Sequence, residues 1–303
     1  MGIVLFHVSL VVYIVSLWHF AMYVFRGRQP LAARGLWLSL CGLAIQGVSI
    51  VVISLGQGRL PWGNSLQNIS FWCWVVVGIS VAVSYGFRVK VLGMFVLPLT
   101  IVLLFMAMTG QKSSSGYPED VGRTFWATVH IGFVFVAYAS FAFAAVLGFM
   151  YILHSHFLKK KETGELYSKL PPLNLLDRLN YRALLAGCVF LTAGLALGFV
   201  WLSALPKKPD GVDPKIMGSM VIWVAYAILL LMRATSLLRG KKVAWLSILG
   251  IAVIVPSYLF VPHVIPKELK GRDRAAVEAA ASQWTPQTRE GVSHQGWISF
   301  LWD

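Results

Sequence analysis

Charge is scarce in this chain. Only 13% of its 303 residues are Asp, Glu, Lys or Arg, and just 12 are acidic. A soluble domain carries roughly 25% charged residues, so a water-exposed globule of this length is excluded. Cysteine is almost absent as well. The three thiols, Cys41, Cys73 and Cys188, all lie in apolar runs without CxxC or CxxCH spacing. That leaves neither a disulfide frame nor a covalent haem attachment site. Walker A, nucleophile-elbow and HExxH patterns are missing too, which removes the best-marked hydrolase and NTPase chemistries. No repeat of 20–50 residues is detectable.

What the chain has is apolar length. Hydrophobic residues make up 57% of it, and the mean hydropathy is +0.71. A helix needs about 20 mostly apolar residues to cross the hydrocarbon core. Eight stretches qualify, roughly 3–25, 35–55, 68–87, 89–109, 124–157, 182–205, 216–238 and 243–263, none with a charged residue in its middle. The expectation is an all-α, polytopic membrane protein of about eight transmembrane helices. Residues 1–265 form the membrane domain and 266–303 a short extracytoplasmic tail. Within the tail, Arg274 to Trp284 reads as one short Ala-rich helix stopped by Pro286. The first apolar run has no basic leader and no A-x-A site, so it reads as a retained span.

The net charge of +14 acquires a direction once the connections are compared. Alternate connections hold Arg26, Arg28, Arg34, Arg88, Lys90, Lys159, Lys160, Lys161, Lys169, Arg178, Arg182, Arg233, Arg239, Lys241 and Lys242. The other three internal connections hold six: Arg59, Lys112, Arg123, Lys207, Lys208 and Lys215. The positive-inside rule puts the first set in the cytoplasm and both termini outside. The five basic residues of the tail run against this pattern. No basic domain with interleaved aromatics stands outside the membrane, so nucleic acid is not an expected partner; the bilayer and its anionic headgroups are.

Intramembrane carboxylates and lysines, the usual marks of proton-coupled transport, are absent. That leaves His and Trp to carry chemistry. His7 and His19 are twelve residues apart in the first span, about 18 Å along a helix, too far to share one small ligand. His130 and His263 fall at similar depth near the outer face. Two neutral imidazoles on opposite sides can hold a haem iron; the plain alternative is that each is an interfacial His bonded to backbone or water. Among the 12 Trp, Trp62, Trp72, Trp74, Trp126 and Trp201 gather toward the same face. They form either an aromatic belt or a platform for a flat macrocycle.

Four stretches, in order, resemble the cytochrome c assembly superfamily, and its eight-span HemX-like branch in particular. They are GRLPWGNSLQNISFWCW from Gly58, TFWATVHIGFVFVAYASFAFAAVLGFMYIL from Thr124, LPPLNLLDRLNYRALLAGCVFLTAGLALGFVW from Leu170, and VDPKIMGSMVIWVAYAILLLMRA from Val212. The resemblance implies a membrane factor of the bacterial cytoplasmic membrane. Its ligand would be haem, of the b type, and its partners c-type cytochromes or other respiratory membrane proteins. It implies His130 and His263 as iron ligands, Arg59 and Lys215 beside propionates, and Trp62 and Trp201 against the ring. The family's Trp-rich outer segment survives only as Asp213, Pro214 and Lys215. Gln46 stands where many relatives carry His, which leaves His19 as the remaining partner of an intramembrane site. Gln67 stands where Glu is common. The role implied is binding rather than bond-making. A cofactor-free scaffold of a respiratory complex is the main alternative, and a small-molecule transporter the more distant one.

Overall fold

A computed structural model describes residues 1–57, 65–109, 125–161, 164–203 and 214–260. Among the described residues the secondary structure is helical, without strands. A bilayer offers backbone N–H and C=O groups no water, so each apolar segment satisfies its own through helix formation. The helices are α1 (Gly2–Arg26), α2 (Gln29–Gln57), α3 (Ser65–Gly86), α4 (Leu92–Thr109), α5 (Phe125–Lys160), α6 (Glu165–Lys169), α7 (Leu173–Ser203), α8 (Pro214–Ala234) and α9 (Lys241–Phe260). Among the described residues, six are long and apolar enough to cross a membrane: α1, α2, α3, α5, α7 and α8. Leu92–Met108 in α4 is a shorter apolar helix. The chain divides into two units, Met1–Val264 and Ile265–Asp303; the second lies outside the described residues, as does the helix expected in the tail.

Two helix starts lie earlier than the apolar stretches suggested. Helix α2 begins at Gln29 rather than near residue 35, with Pro30 in its first turn, where a missing N–H costs nothing. Helix α7 begins at Leu173 rather than near 182. Its first turns are amphipathic: Leu176 and Leu179 are buried while Arg178 and Arg182 are exposed. A window tuned to bilayer-crossing segments discards such a stretch because of its charges, although one face packs as well as any core helix.

Helix α5 is the axis of the bundle. At about 1.5 Å per residue, its 36 residues extend roughly 54 Å. Both faces are covered. Ala139, Ala142, Phe143, Val146 and Met150 join a core shared with α1, α3, α4 and α7. Ala137, Tyr138, Phe141 and Ala144 join a second core with α7, α8 and α9. Small residues dominate because helix association in lipid rests on close van der Waals packing rather than on expulsion of water. At Gly148 the helix meets backbone: a Cβ there would stand 2.8 Å from the Ala244 carbonyl oxygen of α9.

The first three helices are joined by buried polar groups. Ser16 Oγ donates to the Gly35 carbonyl at 2.7 Å, and Ser49 Oγ to that of Gly2 at 2.7 Å. The opposite, basic end is drawn together by cations on rings and carboxylates. Lys169 lies over Tyr23 at 5.9 Å and Arg182 over Phe87 at 5.6 Å. Arg233 grips Asp177 with both guanidinium arms, at 2.9 and 2.6 Å.

Candidate functional site

His130 stands in the second turn of α5, facing α7. A carbonyl can only accept, so the 2.6 Å contact to Gly194 O requires Nδ1 to carry the proton and donate it. The ring is thereby fixed in the tautomer whose lone pair is on Nε2. Metal-ligating histidines are commonly oriented in this way, with the other nitrogen donating to a backbone carbonyl.

The seat for the ring is made by glycine. A Cβ on Gly198 would fall 2.8 Å from His130 Cε1 and 3.0 Å from Nδ1, closer than any side chain tolerates. One turn deeper, a Cβ on Gly194 would meet Val134 Cγ2 at 2.9 Å, and one on Gly187 would run into the ring of Phe141. Gly187, Gly194 and Gly198, spaced by seven and four, lie along one face of α7. That face lets α5 approach closely enough for an imidazole to reach a backbone oxygen.

Helix α8 is fastened beside this pair. Tyr138 of α5 and Ser219 of α8 share a hydrogen bond at 3.1 Å, and Trp223 Nε1 donates to Thr192 Oγ1 of α7 at 2.7 Å. Lys215, one turn before Ser219, is half-buried in the first turn of α8. Both His130 and Lys215 therefore lie toward the non-basic end of the bundle. Arg59, Trp62, Asp213 and His263 lie outside the described residues, as does the side chain of Trp201. Among the described residues, no cluster of three or more His, Cys, Asp or Glu side chains could hold a metal ion; an iron held by two axial imidazoles needs no such cluster.

His19 is placed elsewhere. Its Nδ1 donates to the Val15 carbonyl at 2.8 Å, within α1, and His7 makes the equivalent bond to Ile3 at 2.6 Å. Gln46, the residue expected to bear on His19, is occupied by a different part of α1. Tyr13 Oη donates to Gln46 Oε1 at 2.7 Å. Gln46 Nε2 in turn donates to Ser70 O at 3.0 Å and contacts Ser70 Oγ at 3.1 Å. Tyr13 and His19 are six residues apart, about 120° apart around the helix, so the structure does not bring His19 and Gln46 together. Gln46 is fully buried.

Reading the sequence by residue type missed two features. One is the Tyr13–Gln46–Ser70 relay, whose signal was a lone Gln in an apolar run with a Tyr on the preceding span. The other is the glycine seat of His130, whose signal was the Gly194–Gly198 spacing.

The chain is similar to known proteins over most of its length. Residues 62–266 match the family model described as "Cytochrome C assembly protein". Protein HemX of Bacillus subtilis (strain 168) is 23% identical over 252 residues, covering 82% of this chain and 91% of that protein. Protein HemX of Brevibacillus brevis is 23% identical over 216 residues, 71% of this chain and 79% of the relative. The cytochrome c biogenesis protein CcsA of Chlamydomonas reinhardtii is 27% identical over 211 residues, 67% of this chain and 58% of the relative.

Proposed function

This chain belongs to the cytochrome c assembly protein family, and from that premise we propose that it serves cytochrome c biogenesis as a haem-handling factor of a bacterial cytoplasmic membrane. It binds and presents haem b near the outer face and makes no bonds itself. The observation that carries this reading is the oriented imidazole of His130, held by the Gly194 carbonyl in the tautomer an iron requires.

In this reading, His130 and His263 would hold the haem iron. Lys215 and Arg59 pair with the propionates as a point charge and a planar fork respectively. Trp62 and Trp201 cover the macrocycle. Asp213 sits between these groups in sequence and neutralises part of the local positive charge. His19 contributes a separate intramembrane imidazole on the lipid side of α1. Bound haem supplies a redox-active iron; the chain's own work is to orient it and to limit its contact with water. The partners are haem itself and the c-type cytochrome or assembly protein that receives it.

The test is an absorption spectrum of the purified protein after addition of hemin. A Soret band that shifts or falls in the His130→Ala/His263→Ala variant is expected. Absence of the band, or a band indifferent to both substitutions, overturns the reading.

A specific observation also favours a scaffold role. Gln46, where the family resemblance leads one to expect His, is closed on both sides by Tyr13 and Ser70. A chain that retains the fold but seals one haem position acts as a partner-holding subunit. Gentle-detergent isolation followed by mass spectrometry discriminates the two: a stoichiometric respiratory partner with no haem on this chain supports the scaffold, and a haem-bearing monomer argues against it.

A further inference from the structure

Helix α8 is thinly anchored. Of its 21 residues, only Ile222, Tyr226 and Leu229 are buried. Every side chain on it that carries an N–H or O–H nevertheless falls along one stripe. These are Lys215, Ser219, Trp223, Tyr226 and Arg233, spaced by four, four, three and seven, the spacing of a single helical face. So little buried area holds such a helix only weakly against sliding or turning, and interhelical hydrogen bonds then decide where it stands.

Two of these bonds lie in the outer half of α8 and address different helices. Ser219 pairs with Tyr138 of α5 at 3.1 Å. Trp223 Nε1 donates to Thr192 Oγ1 of α7 at 2.7 Å. The second is directional. Thr192 donates its one hydroxyl proton to the Cys188 carbonyl at 2.7 Å, so its oxygen meets the indole as an acceptor. Turned away from Thr192, the indole N–H would face hydrocarbon, which supplies no partner. A slide of one turn toward the outer face would set Ala227 against Thr192, without a donor. A slide of one turn inward would take Ser219 from Tyr138.

This register sets the depth of Lys215. It stands eight residues before Trp223 on α8, about 12 Å toward the outer face. The His130 ring rests against Gly198, six residues beyond Thr192 on α7 and about 9 Å toward the same face. Lys215 and the imidazole are therefore within one helical turn of each other in depth. A ligand that meets both must carry a metal for Nε2 and an anion on the same rigid body. Haem with free propionates has both; its esterified form keeps the iron and loses the anions.

We infer that Trp223 and Ser219 are positioning residues that make the site selective for the free carboxylates of haem, by holding α8 in the register that brings Lys215 level with His130. The inference rests on the haem-binding reading above, in which Lys215 pairs with a propionate. Soret titration of the purified full-length protein, with hemin and with hemin dimethyl ester, tests it. Wild type is expected to bind hemin more tightly than the ester. Lys215→Gln should cut that preference about tenfold, the loss of one charge-assisted bond. Trp223→Phe/Ser219→Ala should cut it nearly as far, while ester affinity and the His130-dependent Soret wavelength stay as in wild type. Joined to Lys215→Gln, the pair should weaken hemin binding no further, since both changes act through one contact. Thr192→Val, which removes only the acceptor of the indole, should shift the preference in the same direction. Arg233→Gln, which frees the inner end of α8, should keep the full preference.

Equal weakening toward hemin and ester in Trp223→Phe/Ser219→Ala overturns the inference, because α8 would then support the site as a whole. So does an undiminished preference in that variant, a further loss when it is joined to Lys215→Gln, or an equal loss in Arg233→Gln. A wild type without a His130-dependent Soret band overturns the haem reading itself. A wild type with that band but no preference for hemin over its ester leaves the haem reading standing and overturns this one.

Discussion

His130 and Gln46 are both polar side chains placed within apolar helices, and the bundle treats them in opposite ways. Gln46 sits between two helices that supply a partner for each end of its amide: Tyr13 donates to its oxygen and Ser70 accepts from its nitrogen. That relay ties α1, α2 and α3 and is fully buried. His130 donates from Nδ1 to a backbone oxygen, in a gap made by Gly194 and Gly198. One arrangement consumes a polar group as a structural tie; the other orients one atom of a group. Both residues arouse functional suspicion in the sequence, since polar side chains inside a membrane are costly and seldom idle. The difference lies in the partners: Gln46 is bonded to groups of α1 and α3, whereas Nδ1 of His130 is bonded to a carbonyl across a glycine-lined seam with α7.

Gly198→Leu breaks this comparison most severely. The new side chain would occupy the space of the imidazole, whose Cε1 lies 2.8 Å from the required Cβ position. Over-packing of this kind costs about 1–3 kcal/mol, and His130 must abandon Gly194. The expected result is a lower unfolding midpoint in mixed micelles together with loss of the His130-dependent Soret signal. Gly198→Ala should act in the same direction with a smaller amplitude. A stable variant with an unaltered spectrum would separate His130 from haem.

Gln46→Leu sharpens the other side. It leaves the Tyr13 hydroxyl and the Ser70 carbonyl without the partner they now share, at a cost of about 1–3 kcal/mol. The loss should be seen in the same unfolding assay with no change in the spectrum, because the relay belongs to α1–α3 and His130 to α5 and α7. A spectral change would show that the two regions are coupled.

The pattern of what was legible follows from the same physics. Each of the eight apolar stretches carries a helix, because hydrocarbon leaves the backbone little choice. The charged first turns of α7 were not legible as helix, since their apolar side faces α5 and the connections rather than lipid. His130 could be picked out by residue type and depth. Its glycine seat was signalled only as the Gly194–Gly198 spacing, because which helix those glycines face depends on which helices are neighbours. The basic side of the molecule was evident from counting; that Lys169 and Arg182 lie over the rings of Tyr23 and Phe87 was not.

Arg233→Gln should have a smaller effect than either substitution above. The pair with Asp177 is bidentate, but the two side chains are 11% and 31% exposed. Solvent therefore screens part of the attraction, and a loss of about 1 kcal/mol is expected. The change should be measurable as a modest fall in the unfolding midpoint, less pronounced at high salt. A loss as large as that of Gln46→Leu would mean that the basic end, rather than the α1–α3 relay, is the main polar tie of the bundle.

The smallest expected effect is the most informative about ancestry and function together. Gln46→His introduces the residue type that the family resemblance leads one to expect there. If residue identity alone determined haem binding, the variant would gain a second, His130-independent Soret component. The surroundings argue otherwise. The position is fully buried, Tyr13 already reaches into it from α1, and His19, the other imidazole toward the inner half of that helix, is turned about 120° away. An imidazole there would accept from Tyr13 and find neither a facing ligand nor room for a macrocycle. The hemin difference spectrum of Gln46→His in a His130→Ala background should therefore match that of His130→Ala alone. A new band would show that the α1–α3 interface opens to admit haem, and that the relay closes a site which the fold still contains.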